Sequence, residues 1–158
     1  MSNVAARLTA SWDRLSGVPG GRRVFDLVLR QVVPYSGSIK PRVLALSPGH
    51  ARVEIRERRR LRNHLRSVHA LALANLGELA SGLAMTTALP PGVRGIPVRI
   101  EIDYLKKARG RITAHGRANP PRAVHQTQTS TATADLTDEA GETIAHMTVI
   151  WHLSPTPP

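Results

Sequence analysis

The chain has 158 residues, 41% of them hydrophobic but only 3% aromatic, so one domain with a core of Ala, Leu, Val and Ile is expected. It contains no cysteine, which excludes a disulfide framework and a thiolate zinc site and fits a reducing compartment. Its formal charge of +11 attracts polyanions (nucleic acid, an anionic membrane, a phosphorylated cofactor or an acidic carrier protein) without choosing among them, and an arginine-rich surface from a high-GC genome has the same look.

Met1 to Leu15 carry no uninterrupted apolar run of the secretory kind, and no stretch reads as a transmembrane helix; a cytoplasmic protein is expected. Val4, Leu8, Trp12 and Leu15 recur at helical spacing, which predicts an amphipathic helix from Asn3 to Ser16. Gly17-Val18-Pro19-Gly20-Gly21 breaks it. A second helix through Val24, Phe25, Leu27, Val28 and Val32 should stop before Pro34, because the residue before a proline disfavours helical backbone. These helices suit a lid, a subunit contact or simple packing.

The period then changes from 3.6 to 2. Val43 to Leu46, the turn Ser47-Pro48-Gly49-His50, and the alternating Ala51, Val53 and Ile55 read as a hairpin. Val68 to Thr86 is apolar on nearly every side and predicts a buried helix about 28 Å long, with Ser67 as its N-cap and Leu89-Pro90-Pro91-Gly92 ending it. Strands follow: Val98 to Tyr104; Arg111 to Arg117, with Ile112, Ala114 and Gly116 on one face; the Thr-rich Val124 to Leu136; and, after the turn Asp138-Glu139-Ala140-Gly141, a last strand with Ala145, Met147, Val149, Trp151 and Leu153 on one face. The expected class is α+β, an antiparallel meander curled round one long central helix. The expected organisation is a helical segment over 1–34, the main domain over 35–154 and a frayed tail at 155–158.

Two polar side chains interrupt the apolar helix, Asn75 and Glu78, three residues apart and so on one face. A carboxylate there must find a partner, shift its pKa or open into a site. Gly77, Ser81 and Gly82 surround it; small residues allow a ligand, or a packed sheet, to come close. Upstream, Asn63 and His69 bracket the helix start, whose free amides bind anions and developing oxyanions. Taken singly, each of these residues has an ordinary structural explanation.

Together they resemble the PaaI-like branch of the hot-dog-fold acyl-CoA thioesterases, and most closely a subgroup of uncharacterised function. That family runs Asn, a short loop, His-Gly-Gly, then an acid on the long helix. This chain has NHLRSVHALALANLGELASG, then YLKKARG at a strand end and a final hairpin with DEAGETIAHM. The resemblance covers about 35–153 and implies a hot-dog fold and thioester hydrolysis. It implies Glu78 as nucleophile or general base, the backbone N–H of Ala70 as oxyanion donor, Asn63 as a positioning group, and His69 shaping the loop or touching substrate. Ala70 and Leu71 replace the paired glycines, and Glu replaces Asp. It also implies a site shared between subunits, hence a homodimer or homotetramer.

The implied substrate is an acyl-CoA or acyl-carrier thioester, with coenzyme A entering only as part of it and no separate cofactor. Asn75, Ser81 and Gly82 are expected among the substrate-binding residues. Arg58, Arg59, Arg60 and Arg62, with Lys106, Lys107 and Arg109, are expected to form a cationic mouth. Three alternatives carry less. Nucleic-acid binding lacks stacking aromatics and a recognition helix; a hydratase would need an Asp/His pair at the helix entrance; a non-catalytic acyl-CoA binder or scaffold differs only in the use made of Glu78. No membrane partner is expected. No metal is expected either, since the seven histidines show no tight pairing with carboxylates.

Overall fold

The structure, a computed structural model, describes residues 4–156. Helix α1 (Val4–Ser16) and helix α2 (Gly21–Val32) lead through a short α3 (Pro34–Gly37) to strands β1 (Arg42–Ser47) and β2 (His50–Arg56). Helix α4 (Ala70–Ala88) follows, and then strands β3 (Val93–Tyr104), β4 (Arg111–Ala118), β5 (Gln128–Thr137) and β6 (Thr143–Pro155). No helix of the described residues is long and apolar enough to cross a membrane.

The six strands form one antiparallel sheet in the order β1-β2-β4-β5-β6-β3. The expected meander is therefore corrected: β3 does not pair with β4. It pairs along its length with β6 at the far edge, and β4 inserts between β2 and β5. Alternation tells which face of a strand is apolar and is silent on which strand lies beside it.

The inward residues Val53 and Ile55, Ile112 and Ala114, Ala132, Ala134 and Leu136, and Met147, Val149 and Leu153 are fully or almost fully buried against α4. From the helix come Leu76, Ala80, Ala84 and Met85, equally buried. Each large side chain so buried contributes roughly 1.5–3 kcal/mol. The small residues set the spacing. A Cβ at Gly116 would collide with the Ala80 carbonyl, and one at Gly77 would stand 3.0 Å from the Met147 sulfur. Trp12 of α1 and Phe25 of α2 meet edge to face, ring centroids 5.1 Å apart, and join the same core. Asp26, buried on α2, accepts the Val43 amide at 2.9 Å and so ties that helix to β1; burial, the largest influence, pushes its carboxyl up.

Three further expectations shift. Helix α4 begins at Ala70, and its N-cap is His69, not Ser67; Ser67 is buried and bonded within the preceding turn. Strand β3 starts at Val93, and its apolar residues are open: Ile96, Val98, Ile100 and Tyr104 are 45–58% exposed, because α4 packs over the other strands and scarcely reaches this edge strand. The tail is shorter than expected, since Pro155 lies in β6 opposite Val93 and the Thr156 amide donates to Gly92. Pro157 and Pro158, like Asn3, fall outside the described residues.

Candidate active site

The segment 62–69 delivers the chain to the start of α4. Arg62 and Val68 form an isolated bridge, and the Asn63 amide donates to the Ser67 carbonyl at 2.9 Å. The Asn63 side-chain oxygen then accepts from the Leu65 amide (2.9 Å), the Ser67 amide (3.2 Å) and the Ser67 hydroxyl (3.2 Å). This is an Asx-type turn: the asparagine oxygen takes the amides that a tight loop leaves over. Arg66 has left-handed backbone there (φ 55°). Val68 and His69 amides anchor the segment to Ala108 and Leu61 at 2.8 and 2.7 Å.

At the helix start the donors can be accounted for one by one. The Leu71 amide goes to Nδ1 of His69 at 3.1 Å, which places the neutral ring's proton on Nε2. The Ala72 and Leu73 amides go to the His69 carbonyl. The Ala70 N–H has no partner among the described residues, and Ala70 is exposed. A cleft of about 340 Å³ opens beside it, walled by Asn63, Ser67, Leu73, Tyr104, Lys106 and Lys107, among others. Tyr104 donates its hydroxyl to the Ala70 carbonyl at 2.9 Å, and burial pushes its phenol up, which keeps it a donor. By sequence Tyr104 is only a strand residue; no local signal couples it to a helix start in a distant segment.

Glu78 lies two turns further along α4, half-buried, with no hydrogen bond or ion pair to its carboxyl group among the described residues. Burial is what raises its pKa. A Cβ at Gly82 would lie 3.6 Å from Glu78 Oε1 and 3.8 Å from Trp151 Cζ2, so this glycine leaves a notch between carboxylate and indole. Asn75 shares the half-buried face. Its amide nitrogen donates to the Tyr35 carbonyl at 3.4 Å, while its oxygen is buried without a partner, as is Trp151 Nε1. Ser81 is different: fully buried, it spends its hydroxyl on the Glu78 carbonyl at 3.1 Å and does not reach the open face.

Ala70 and Glu78 are eight positions apart, about 12 Å along the axis, so one chain does not bring that amide and that carboxylate to a single carbonyl. The expected cationic mouth also divides. Arg58 donates to the Ser38 carbonyl at 2.7 Å, and burial first, then Arg60 and Arg30, push its guanidinium down; Arg62 pairs with Glu57 at 2.6 Å. Lys106 is held by Asp138 (3.3 Å) and Glu142. Arg59, Arg60 and Lys107 are exposed and form no ion pair among the described residues, and Arg109 is exposed above Glu57. Nor do any three His, Asp or Glu side chains of the described residues gather as metal ligands would.

A family model described as a domain of unknown function, DUF4442, matches residues 21–153, taking in α2 as well as the sheet and α4. No curated protein matches the chain. Among solved structures, one from structural genomics aligns with a TM-score of 0.81 at 25% identity, covering 98% of this chain and 100% of that one. A Pseudomonas aeruginosa protein of unknown function, described as a probable thioesterase, aligns with a TM-score of 0.73 at 21% identity over 87% of this chain and 97% of that one. A mutant of the phenylacetic acid degradation protein PaaI from Thermus thermophilus aligns at 0.65 and 24% identity, over 75% and 97%. The architecture is therefore the hot-dog fold of these structures.

Proposed function

We propose that this chain, which belongs to the DUF4442 family, hydrolyses acyl thioesters of coenzyme A or of an acyl-carrier protein. One observation carries the reading: Glu78 presents a carboxyl group, half-buried in mid-helix and with no partner among the described residues, beside the notch over Gly82. A carboxylate desolvated to that extent, with nothing to neutralise it, is a poor structural element and a good reagent. It can attack the thioester carbon, expelling the thiolate and leaving an acyl anhydride for water to open. Alternatively it takes a proton from a water that attacks instead. In either route negative charge gathers on the carbonyl oxygen, and the free Ala70 N–H is the donor suited to it.

Because amide and carboxylate of one chain stand about 12 Å apart, the reading requires two copies, each supplying one group. The open edge of β3, with Val98 and Ile100 half exposed, is the surface that such pairing would cover. The thiol released by cleavage then leaves past the cleft of Lys106 and Lys107.

Thiol release from a panel of acyl-CoA and acyl-carrier thioesters tests the proposal, with Glu78→Gln as the control. Turnover by the wild type and none by the variant is expected. Thioester binding without turnover by the wild type would replace hydrolysis with acyl-thioester binding as the function.

A further inference from the structure

The outer face of the sheet, away from α4, holds an unusual juxtaposition. Two successive cross-strand pairs of β2 and β4 set base against base: His50 opposite Arg117, and Arg52 opposite His115. A histidine opposite an arginine offers no compensating charge across the ladder, and proteins ordinarily interleave cations with acids. Elsewhere on this face that is so. Arg111, opposite Arg56, is bonded by Glu139 at 3.0 Å, and Arg42 of β1 lies 3.6 Å from Glu54.

Within the quartet only Arg117 has such relief. The acid beside it is Asp135, opposite His115 on β5, and it is already divided between Arg117 (3.1 Å) and His146 Nδ1 (2.6 Å). Arg52 and His50 make no ion pair among the described residues, and neither does the nearby Arg122.

The same residues wall two adjoining concavities. One, about 670 Å³, lies between the β1–β2 turn, the C-terminal end of α4 and the β4–β5 connection; the other is about 230 Å³. His50 and Arg117 line both, Arg122 and the hydroxyl residues Thr131 and Thr133 line the first, and Arg52 and His115 line the second. No acid lines either one. Neither Ala70 nor Glu78 touches this region, which lies at the other end of a helix about 27 Å long.

We infer that this outer-face cleft is a second binding site, for a phosphate or diphosphate group held by Arg52, Arg117 and Arg122, with His50 and His115 as further donors. Guanidinium groups suit the charge and the forked geometry of phosphate oxygens, and the anion supplies the counter-charge that Arg52 and Arg122 do not find among the described residues. The inference is independent of thioester hydrolysis. Burial and then Arg52 and Arg117 hold the His115 imidazole below its ordinary value, with Asp135 opposing them. An anion between those arginines pulls it back up.

The test is a titration of the 158-residue chain with pyrophosphate and, separately, with adenosine 3′,5′-bisphosphate at low salt, following the histidine ring signals by NMR. Saturable shifts of His50 and His115, and a higher titration midpoint for His115, are expected with at least one ligand. Tighter binding of pyrophosphate marks a free phosphate species; tighter binding of the nucleotide marks a phosphate ester. Loss of one charge-assisted contact should weaken binding about tenfold or more in Arg52→Gln and in Arg122→Gln. Arg56→Gln, on the same strand outside the cleft, should leave it unchanged. Absence of saturable shifts, equal losses in all three variants, or binding of heparin alone would overturn the site and leave an unspecific basic surface.

Discussion

The imidazole of His69 takes the amide of Leu71 at 3.1 Å and thereby leaves the Ala70 N–H as the open donor at the start of α4. This can be tested with one substitution. Proline is favoured at the first helical position, where its missing N–H removes no helical bond. His69 already has the extended backbone that a following proline demands, φ −64° and ψ 140°. Ala70→Pro should therefore fold with an unchanged melting temperature. If the amide stabilises the oxyanion, kcat should fall about 10²- to 10³-fold with little change in KM. Wild-type kcat in a folded Ala70→Pro protein would remove that amide from the mechanism.

Glu78 makes a prediction about stability opposite in sign to the one about activity. Burial raises its folded pKa above the ordinary carboxylate value, so the folded state binds the proton more tightly than the unfolded chain. Stability from this group is then present below the unfolded pKa and is lost as pH rises through the folded one. Glu78→Gln should melt higher than wild type at neutral pH while lacking activity. The gap in melting temperature should close as the pH is lowered below the ordinary glutamate value. A variant less stable than wild type at neutral pH would mean that the carboxylate has a stabilising partner after all.

Asn63 accepts three hydrogen bonds through its side-chain oxygen, all inside the 63–67 turn. Its work in the described chain is therefore done by an acceptor, which aspartate also supplies. Asn63→Asp should keep the wild-type melting temperature, whereas Asn63→Ala should lose roughly 1–3 kcal/mol. If Asn63→Asp folds as wild type yet turns over thioesters slowly, the amide nitrogen has a separate role in positioning the substrate.

Lys106 is occupied by Asp138 and Glu142, which leaves Lys107 and Arg109 as the open cations at the end of β3. Replacing both with alanine should raise KM for acyl-CoA and leave kcat near wild type. It should also flatten the salt dependence of KM, since an exposed ion contact is screened over a Debye length of about 8 Å. Short thioesters without phosphates should be unaffected. Equal losses on both substrates would indicate structural damage.

What the sequence discloses and what it withholds divide along physical lines. The buried helix and the inward residues of β2, β4, β5 and β6 are legible, because period and length follow from burial within the chain itself. Strand β3 shows the same alternation although Val98 and Ile100 are uncovered; alternation marks an apolar face and does not say what covers it. The cap is not legible, because Ser67 is the better capping residue by type while its hydroxyl is engaged by Asn63. Glu78 and Asn75 stand out as polar interruptions of an apolar helix. Tyr104 against Ala70, Lys106 against Asp138, and the His50, Arg52, His115 and Arg117 quartet depend on register and strand order, which no local pattern encodes.

The separation of Ala70 from Glu78 supports a last experiment, in which two inactive proteins are mixed. If each site joins Glu78 of one copy to Ala70 of the other, a mixed dimer of Ala70→Pro and Glu78→Gln contains one site with both groups intact and one with neither. After unfolding and refolding at equal concentrations, half of the dimers are mixed, so about a quarter of the wild-type activity should return. Neither variant refolded alone should show it. The recovery must also depend on the exposed β3 edge: a lysine at Ile100 places a charge where the second strand would pair, and should yield a monomer by light scattering. Adding Ile100→Lys to both variants should abolish the recovery. If the mixture stays inactive while dimers form, carboxylate and amide do not meet across the subunit boundary.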